Sequence, residues 1–191
     1  IEEVAKSKLI DHYIVSSDNH DTLVYANSLE VATHIRSTQL ASDTATSANA
    51  LISALQSGYD YVAEIMCTSP LKTVEDIDGC IQACIDSGAN TCASVTPIQD
   101  HHPRRVKFIE DGTLKDFMPE ELESRRQDLT PAAYVRNGSI YVMKTSFLLE
   151  HRTRTETNRT LAYIMPPERS VNIDEPLDLL MAETLMRGVD A

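Results

Sequence analysis

Apolar residues along this chain come in short runs, set between longer stretches with helical spacing. Residues 12–16 (HYIVS), 61–66 (YVAEIM), 91–95 (TCASV), 139–143 (SIYVM) and 161–165 (LAYIM) each read as a short buried strand. Between them the spacing predicts helices. Residues 1–8 look like the end of one, and residues 20–33 can form another. Asp43 or Thr44 can cap a third that runs to about Gln56 and stops at Gly58. Thr73-x-x-Asp76 resembles a capping box for a helix ending near Gly88. Residues 145–152 form a short helix, and a last helix follows Asp174 with Pro176 in its first turn and runs to about Arg187.

Alternating strands and helices predict a three-layer, mostly parallel, Rossmann-like α/β sheet with helices on both faces, in one domain spanning 1–191. Ligands of such sheets sit beyond the carboxyl ends of strands, where Asp18, the Thr68-Ser69-Pro70 turn and Pro97 fall. The middle breaks the alternation. Residues 106–109 and 113–117 flank Asp111-Gly112, a hairpin signal, and residues 118–136 are polar and irregular. We therefore expect an insertion over 104–138 that leaves the main sheet.

Charge narrows the function. A net charge of −12 argues against nucleic-acid backbone binding, which needs a basic face. Seven of the 17 Lys and Arg nevertheless fall between Arg104 and Arg136, enough for a small anionic substrate. Cys67, Cys80, Cys84 and Cys92 include no C-x-x-C and no matching His pair, so free thiols in a reducing cytosol are expected rather than zinc. No apolar run is long enough for a membrane span, and no signal-peptide pattern is seen. The expected location is cytoplasmic. Glycine-rich phosphate loops and hydrolase motifs are absent, so spacing alone leaves a soluble α/β enzyme or binding domain.

Four segments go further by resemblance. Arg36 with residues 40–47 (LASDTATS) resembles the R-x-x-x-L-A-x-D-x-A-x-S segment of CMP-sialic acid synthetases. Residues 68–73 (TSPLKT) with Glu75-Asp76-Ile77 are similar to their T-S-P-L-R-T-x-E-D-I stretch. Residues 125–129 (RRQDL) with 134–141 (YVRNGSIY) are similar to R-R-Q-x-L…N-G-A-I-Y, and residues 167–174 (PERSVNID) to P-E-R-S-x-D-I-D. The resemblance implies transfer of CMP from CTP to the anomeric hydroxyl of an acidic nonulosonic sugar, with release of pyrophosphate and help from Mg2+. It implies a homodimer, with the 104–138 insertion serving sugar binding and dimer contacts.

Carried over residue by residue, the resemblance places Arg36 against the phosphates or nucleotide, and Ala45 and Ser47 beside the cytosine. Lys107, Arg126 and Arg136 become candidates for the sugar carboxylate or phosphates, since a guanidinium can bind both carboxylate oxygens at once. Asn137 and Tyr141 would face sugar hydroxyls. Asp174 would hold the magnesium, with helix capping as its alternative duty. The chain also departs from the family. Asn172 stands where the first Asp of the metal-binding pair is usual, and Met66 where many members have a sugar-contacting Gln. The basic, glycine-containing loop that cradles CTP has no counterpart, so residues are expected to precede Ile1. These departures keep other readings open: legionaminic, pseudaminic or 3-deoxy-octulosonic acid as the sugar, or a non-catalytic nucleotide- or sugar-binding relative.

Overall fold

The computed structural model describes residues 1–98, 101–119 and 125–189, apart from the side chains of Arg126 and Val189. Its elements follow the expected order: α1 (Glu2–Ala5), β1 (Ile14–Ser17), α2 (His20–Ser28), β2 (Ala32–Ile35), α3 (Ser47–Ala54), β3 (Tyr61–Ile65), α4 (Val74–Ser87) and β4 (Thr91–Pro97). Then come β5 (Lys107–Glu110), β6 (Thr113–Asp116), β7 (Tyr134–Lys144), α5 (Thr145–His151), β8 (Leu161–Ile164) and α6 (Pro176–Val189).

Three local expectations are corrected. Residues 20–33 are not one helix, because Glu30 turns at φ 58° and the β-branched Val31, Thr33 and Ile35 then favour the extended β2. The cap of α3 is Thr46, whose Oγ1 accepts from the Asn49 N–H at 3.3 Å, and neither Asp43 nor Thr44. β7 begins at Tyr134, so residues 134–136 belong to the sheet and not to the irregular excursion.

The main sheet has the order β3-β7-β4-β8. β4 and β8 are parallel, and β7 runs antiparallel to both β3 and β4, so β3, β4 and β8 share one direction. The antiparallel strand follows from the insertion. The chain leaves at the end of β4, turns through the β5–β6 hairpin and re-enters beside the strand it left, which reverses its direction. β1 and β2 pair in parallel as a separate two-stranded ladder.

β7 supplies both faces of the core. Ile140 and Val142 point to one side, where they meet Ile77, Cys80, Ile81 and Cys84 of α4. Tyr141 and Met143 point to the other, with Ala48 of α3 and Leu148 of α5. This period-two division yields the three layers: α4, sheet, then α3 and α5. Helix α4 ends at Gly88, whose φ of 66° suits a residue without Cβ. The hairpin turns at Asp111 (φ 50°) and Gly112 (φ 72°), as the Asp-Gly pair predicts. Cys80, Cys84 and Cys92 are buried free thiols, while Cys67 is exposed. Burial pushes the Cys84 thiol up to about 11. Among the described residues no helix is long and apolar enough to cross a membrane.

Candidate functional site

The site grows from the turn after β3. The sheet ends there with the Met66 N–H donating to the Ser139 carbonyl at 3.0 Å, and residues 67–73 form a turn that leads into α4. Lys72 folds under this turn. It is 7% exposed, and its ammonium donates to the carbonyls of Met66, at 2.6 Å, and Ser69. Burial lowers its pKa to about 8, opposed in part by the charges of Cys67 and Asp76. A cation held below its unfolded pKa weakens the fold while protonated. Stability should therefore rise with pH between about 8 and 10.5, by about 3 kcal/mol. Denaturation midpoints measured across that window should show the gain in wild type and not in Lys72→Met.

Asp76, one turn into α4, is 1% exposed and holds three groups. It accepts from the Thr73 N–H at 3.1 Å, completing the capping box, and from Arg169 Nε at 2.8 Å and Nη2 at 2.9 Å. That bidentate pair anchors the turn at Pro167–Arg169 and brings the following segment against the β3 turn, where the Ile173 N–H donates to the Thr68 carbonyl at 2.8 Å.

Asn172 and Asp174 lie on this segment. The Asn172 Oδ1 accepts from Thr68 Oγ1 at 2.8 Å and Ser69 Oγ at 3.3 Å, and its Nδ2 donates to Asp174 Oδ2 at 2.6 Å. The amide therefore steadies the carboxylate. Helix capping falls to another residue. Asp178 Oδ2 accepts from the backbone N–H groups of Asp174 at 3.0 Å and Glu175 at 2.9 Å. The Asp174 carboxylate stays exposed, held by Asn172. Among the described residues no three His, Cys, Asp or Glu side chains converge as a metal cage.

The other residues singled out in the sequence divide. Asn137 is 6% exposed and fully engaged. Its Oδ1 accepts from Ser94 Oγ at 2.6 Å and the Ser139 N–H at 3.2 Å, and its Nδ2 faces Ser170 Oγ at 2.9 Å and Met165 Sδ at 3.3 Å. These bonds leave it no group for a sugar hydroxyl, so the expected contact is corrected to a tie between β4, β7 and the segment before Asn172. Its neighbour Gly138 (φ 71°) lies against Asn172, 3.7 Å from where a Cβ would stand. Lys107 pairs with Asp116 at 2.6 Å across the hairpin. The side chain of Arg126 lies outside the described residues. Arg36 directly follows β2, where its Nη2 donates to the Ser16 carbonyl at 2.9 Å and its buried Nε has no hydrogen-bond partner among the described residues. Ala45 and Ser47 flank the α3 cap, with Ser47 as the first helical residue.

Tyr141 is 6% exposed and faces the α3–α5 side. The Arg154 guanidinium stacks 4.3 Å above its ring and pairs with Glu64, which opposes Tyr141 in the β3–β7 ladder. Arg136 opposes Val95 and is exposed. An open cleft of about 340 Å³ lies there, lined by Ala93, Val95, Arg136, Thr155, Leu161 and Ala162, with Thr160 at its edge. Glu64, Arg154, Lys72 and the Asp76–Arg169 pair were not anticipated as site groups. A carboxylate inside the otherwise apolar run 61–66 was the available signal for Glu64.

A family model described as cytidylyltransferase matches residues 1–168. The chain is 23% identical over 195 residues to post-translational flagellin modification protein B of Campylobacter coli, covering 97% of this chain and 81% of that one. It is 27% identical over 176 residues to N-acylneuraminate cytidylyltransferase B of Danio rerio, covering 91% and 41%. It is 26% identical over 149 residues to the N-acylneuraminate cytidylyltransferase of Streptococcus agalactiae serotype V, covering 76% and 35%. The chain thus spans less than half the length of these last two relatives. Among solved structures, it superposes on a CMP:2-keto-3-deoxy-manno-octonic acid synthetase complexed with CTP, with a TM-score of 0.71 at 12% identity, covering 98% and 85%. A 4-diphosphocytidyl-2C-methyl-D-erythritol synthase from Anaerococcus prevotii gives 0.63 at 15% identity, covering 97% and 83%. These two likenesses show the shared fold.

Proposed function

Because the chain belongs to the cytidylyltransferase family, whose model spans residues 1–168, we propose that it transfers CMP from CTP to the anomeric hydroxyl of an N-acylneuraminate-like acidic sugar. The anomeric hydroxyl releases its proton to solvent as its oxygen bonds to the α-phosphorus, the bond from that phosphorus to the bridging oxygen breaks, and pyrophosphate leaves. The single observation that carries this reading is the Thr68–Asn172–Asp174 chain. It presents an exposed carboxylate beyond the end of β3, while Asp178 does the capping that would otherwise explain Asp174. The N-acylneuraminate cytidylyltransferase relatives support the choice of an acidic sugar.

The residues fit Mg2+ as a one-carboxylate anchor. Asp174 offers hard oxygen, the Asn172 oxygen is occupied by the two hydroxyls, and phosphates of the nucleotide would complete the shell, which is how magnesium usually binds. When bound, the ion supplies positive charge against the triphosphate. The chain's own part is positional. Asn172 fixes the carboxylate, Arg36 brings a cation to the end of β2, and Arg136 brings one to the sugar side. Charge placement and alignment dominate such transfers.

We place the homodimer contact on the insertion. Ile109, Leu114 and Phe117 of the hairpin are 75%, 69% and 63% exposed, and a second copy would cover them. A cytoplasmic location goes with CTP as substrate. The deciding experiment is pyrophosphate release from CTP and Mg2+ with N-acetylneuraminate, legionaminate, pseudaminate and 3-deoxy-octulosonate in turn. Turnover with an N-acylated nonulosonate supports the proposal. No turnover with any acid, alongside retained CMP-sugar binding, would replace it with a non-catalytic binding role.

A further inference from the structure

Glu64 and Arg154 form an ion pair where apolar side chains would serve the core as well. Their side chains are 16% and 27% exposed, and Val62, Ala93 and Met143 on the same face pack as an apolar cluster. Removing two charges from water rarely stabilises a fold more than apolar packing of equal volume. The pair also has unused bonding capacity. Arg154 Nη1 meets Glu64 Oε2, which leaves Glu64 Oε1 and Arg154 Nε and Nη2 without a hydrogen bond among the described residues. The Arg154 guanidinium carbon lies 4.3 Å from the centroid of the Tyr141 ring, a cation–π contact that helps hold it.

The next residue, Thr155, lines the cleft that Arg136 borders, over a floor of Ala93, Val95 and Ala162. Arg136 has no ion-pair partner among the described residues. One cleft therefore offers a free cation, an apolar floor and, beside it, a rigid acceptor–donor pair. Resting on the transferase reading above, which puts the acidic sugar beside Arg136, we infer that the Glu64–Arg154 pair is a specificity determinant for that sugar. The pair selects a sugar whose facing substituent both donates and accepts hydrogen bonds, a hydroxyl or an amide. A site built to make such bonds rejects analogues that cannot, because its own polar groups are then left unmet.

The test uses the full protein and N-acetylneuraminate as the probe. Binding is read by saturation-transfer NMR with CTP and Mg2+ present, and turnover by pyrophosphate release. Arg154→Met keeps the alkyl chain over the ring and removes the guanidinium. The pair E64L/R154M removes both charges, and Arg136→Met removes the anchor. Each should raise the sugar KM about 10-fold or more, with the KM for CTP unchanged. The double variant should melt no lower than wild type, which separates lost recognition from lost folding. If E64L/R154M keeps the wild-type sugar KM and NMR signal, the pair is structural and the inference falls. It also falls if the wild-type protein gives no N-acetylneuraminate signal at millimolar concentration. If wild type binds the sugar without turnover and the variants lose that binding, the pair's role stands and the transferase reading fails.

Discussion

Replacing Asp174 with alanine should lower kcat/KM for pyrophosphate release by about 10²–10³-fold, the usual cost of losing one positioned charge-stabilising group. The carboxylate is exposed and its one hydrogen bond among the described residues is to Asn172, so the melting temperature should stay within a degree or two of wild type, as for other surface changes. Asp174→Asn is the sharper control. It keeps the shape and can still accept the Asn172 bond, but loses the charge, and it should be nearly as impaired as alanine. Asp178→Ala should do the reverse, because Asp178 caps α6: stability should fall by about 1 kcal/mol with smaller effects on rate. An Asp174→Ala enzyme with wild-type turnover would remove this residue from the mechanism.

The largest expected effect on stability comes from Arg169→Met. Asp76 is 1% exposed, and Arg169 supplies both of its charge-assisted bonds. Without the guanidinium, the buried carboxylate keeps only Thr73 as a donor among the described residues. The cost should be about 2–4 kcal/mol, toward the lower end because Arg169 is partly exposed. Urea denaturation would measure it. Adding Asp76→Asn should recover some of the loss at neutral pH. The same pair holds the Asn172 segment against the β3 turn, so activity should fall alongside stability.

Most of the architecture was legible because its cause is local. Short apolar runs, the Thr73–Asp76 box, the Asp-Gly turn and Gly88 each specify their own geometry, and all reappear. The direction of β7 was not legible, because it depends on how a long insertion returns and not on the residues of the strand. β2 is hard to read because four residues that alternate weakly can extend a helix pattern. The site was partly legible. Asp174 and Asn172 come together near Thr68 and Ser69 because the motifs that carry them are close in space as well as in family order. Asn137 shows the limit of carrying roles across: the residue is in place, but its bonds are all to the protein. Glu64 and Arg154 lie ninety positions apart, and only folding brings them onto one tyrosine ring.

The locked state of Asn137 bears on how substrate preference can evolve in this enzyme class. Because that amide joins two strands to the loop carrying Asp174, a change at Asn137 would disturb the sheet and that loop together. Arg154 and Thr155 sit instead on the connection after α5, outside the sheet ladder. New acceptors could be explored there by simple replacement while the reaction machinery is inherited unchanged. Directed libraries confined to Glu64, Arg154 and Thr155 should therefore yield altered sugar choice far more often than libraries of the same size placed around Asn137.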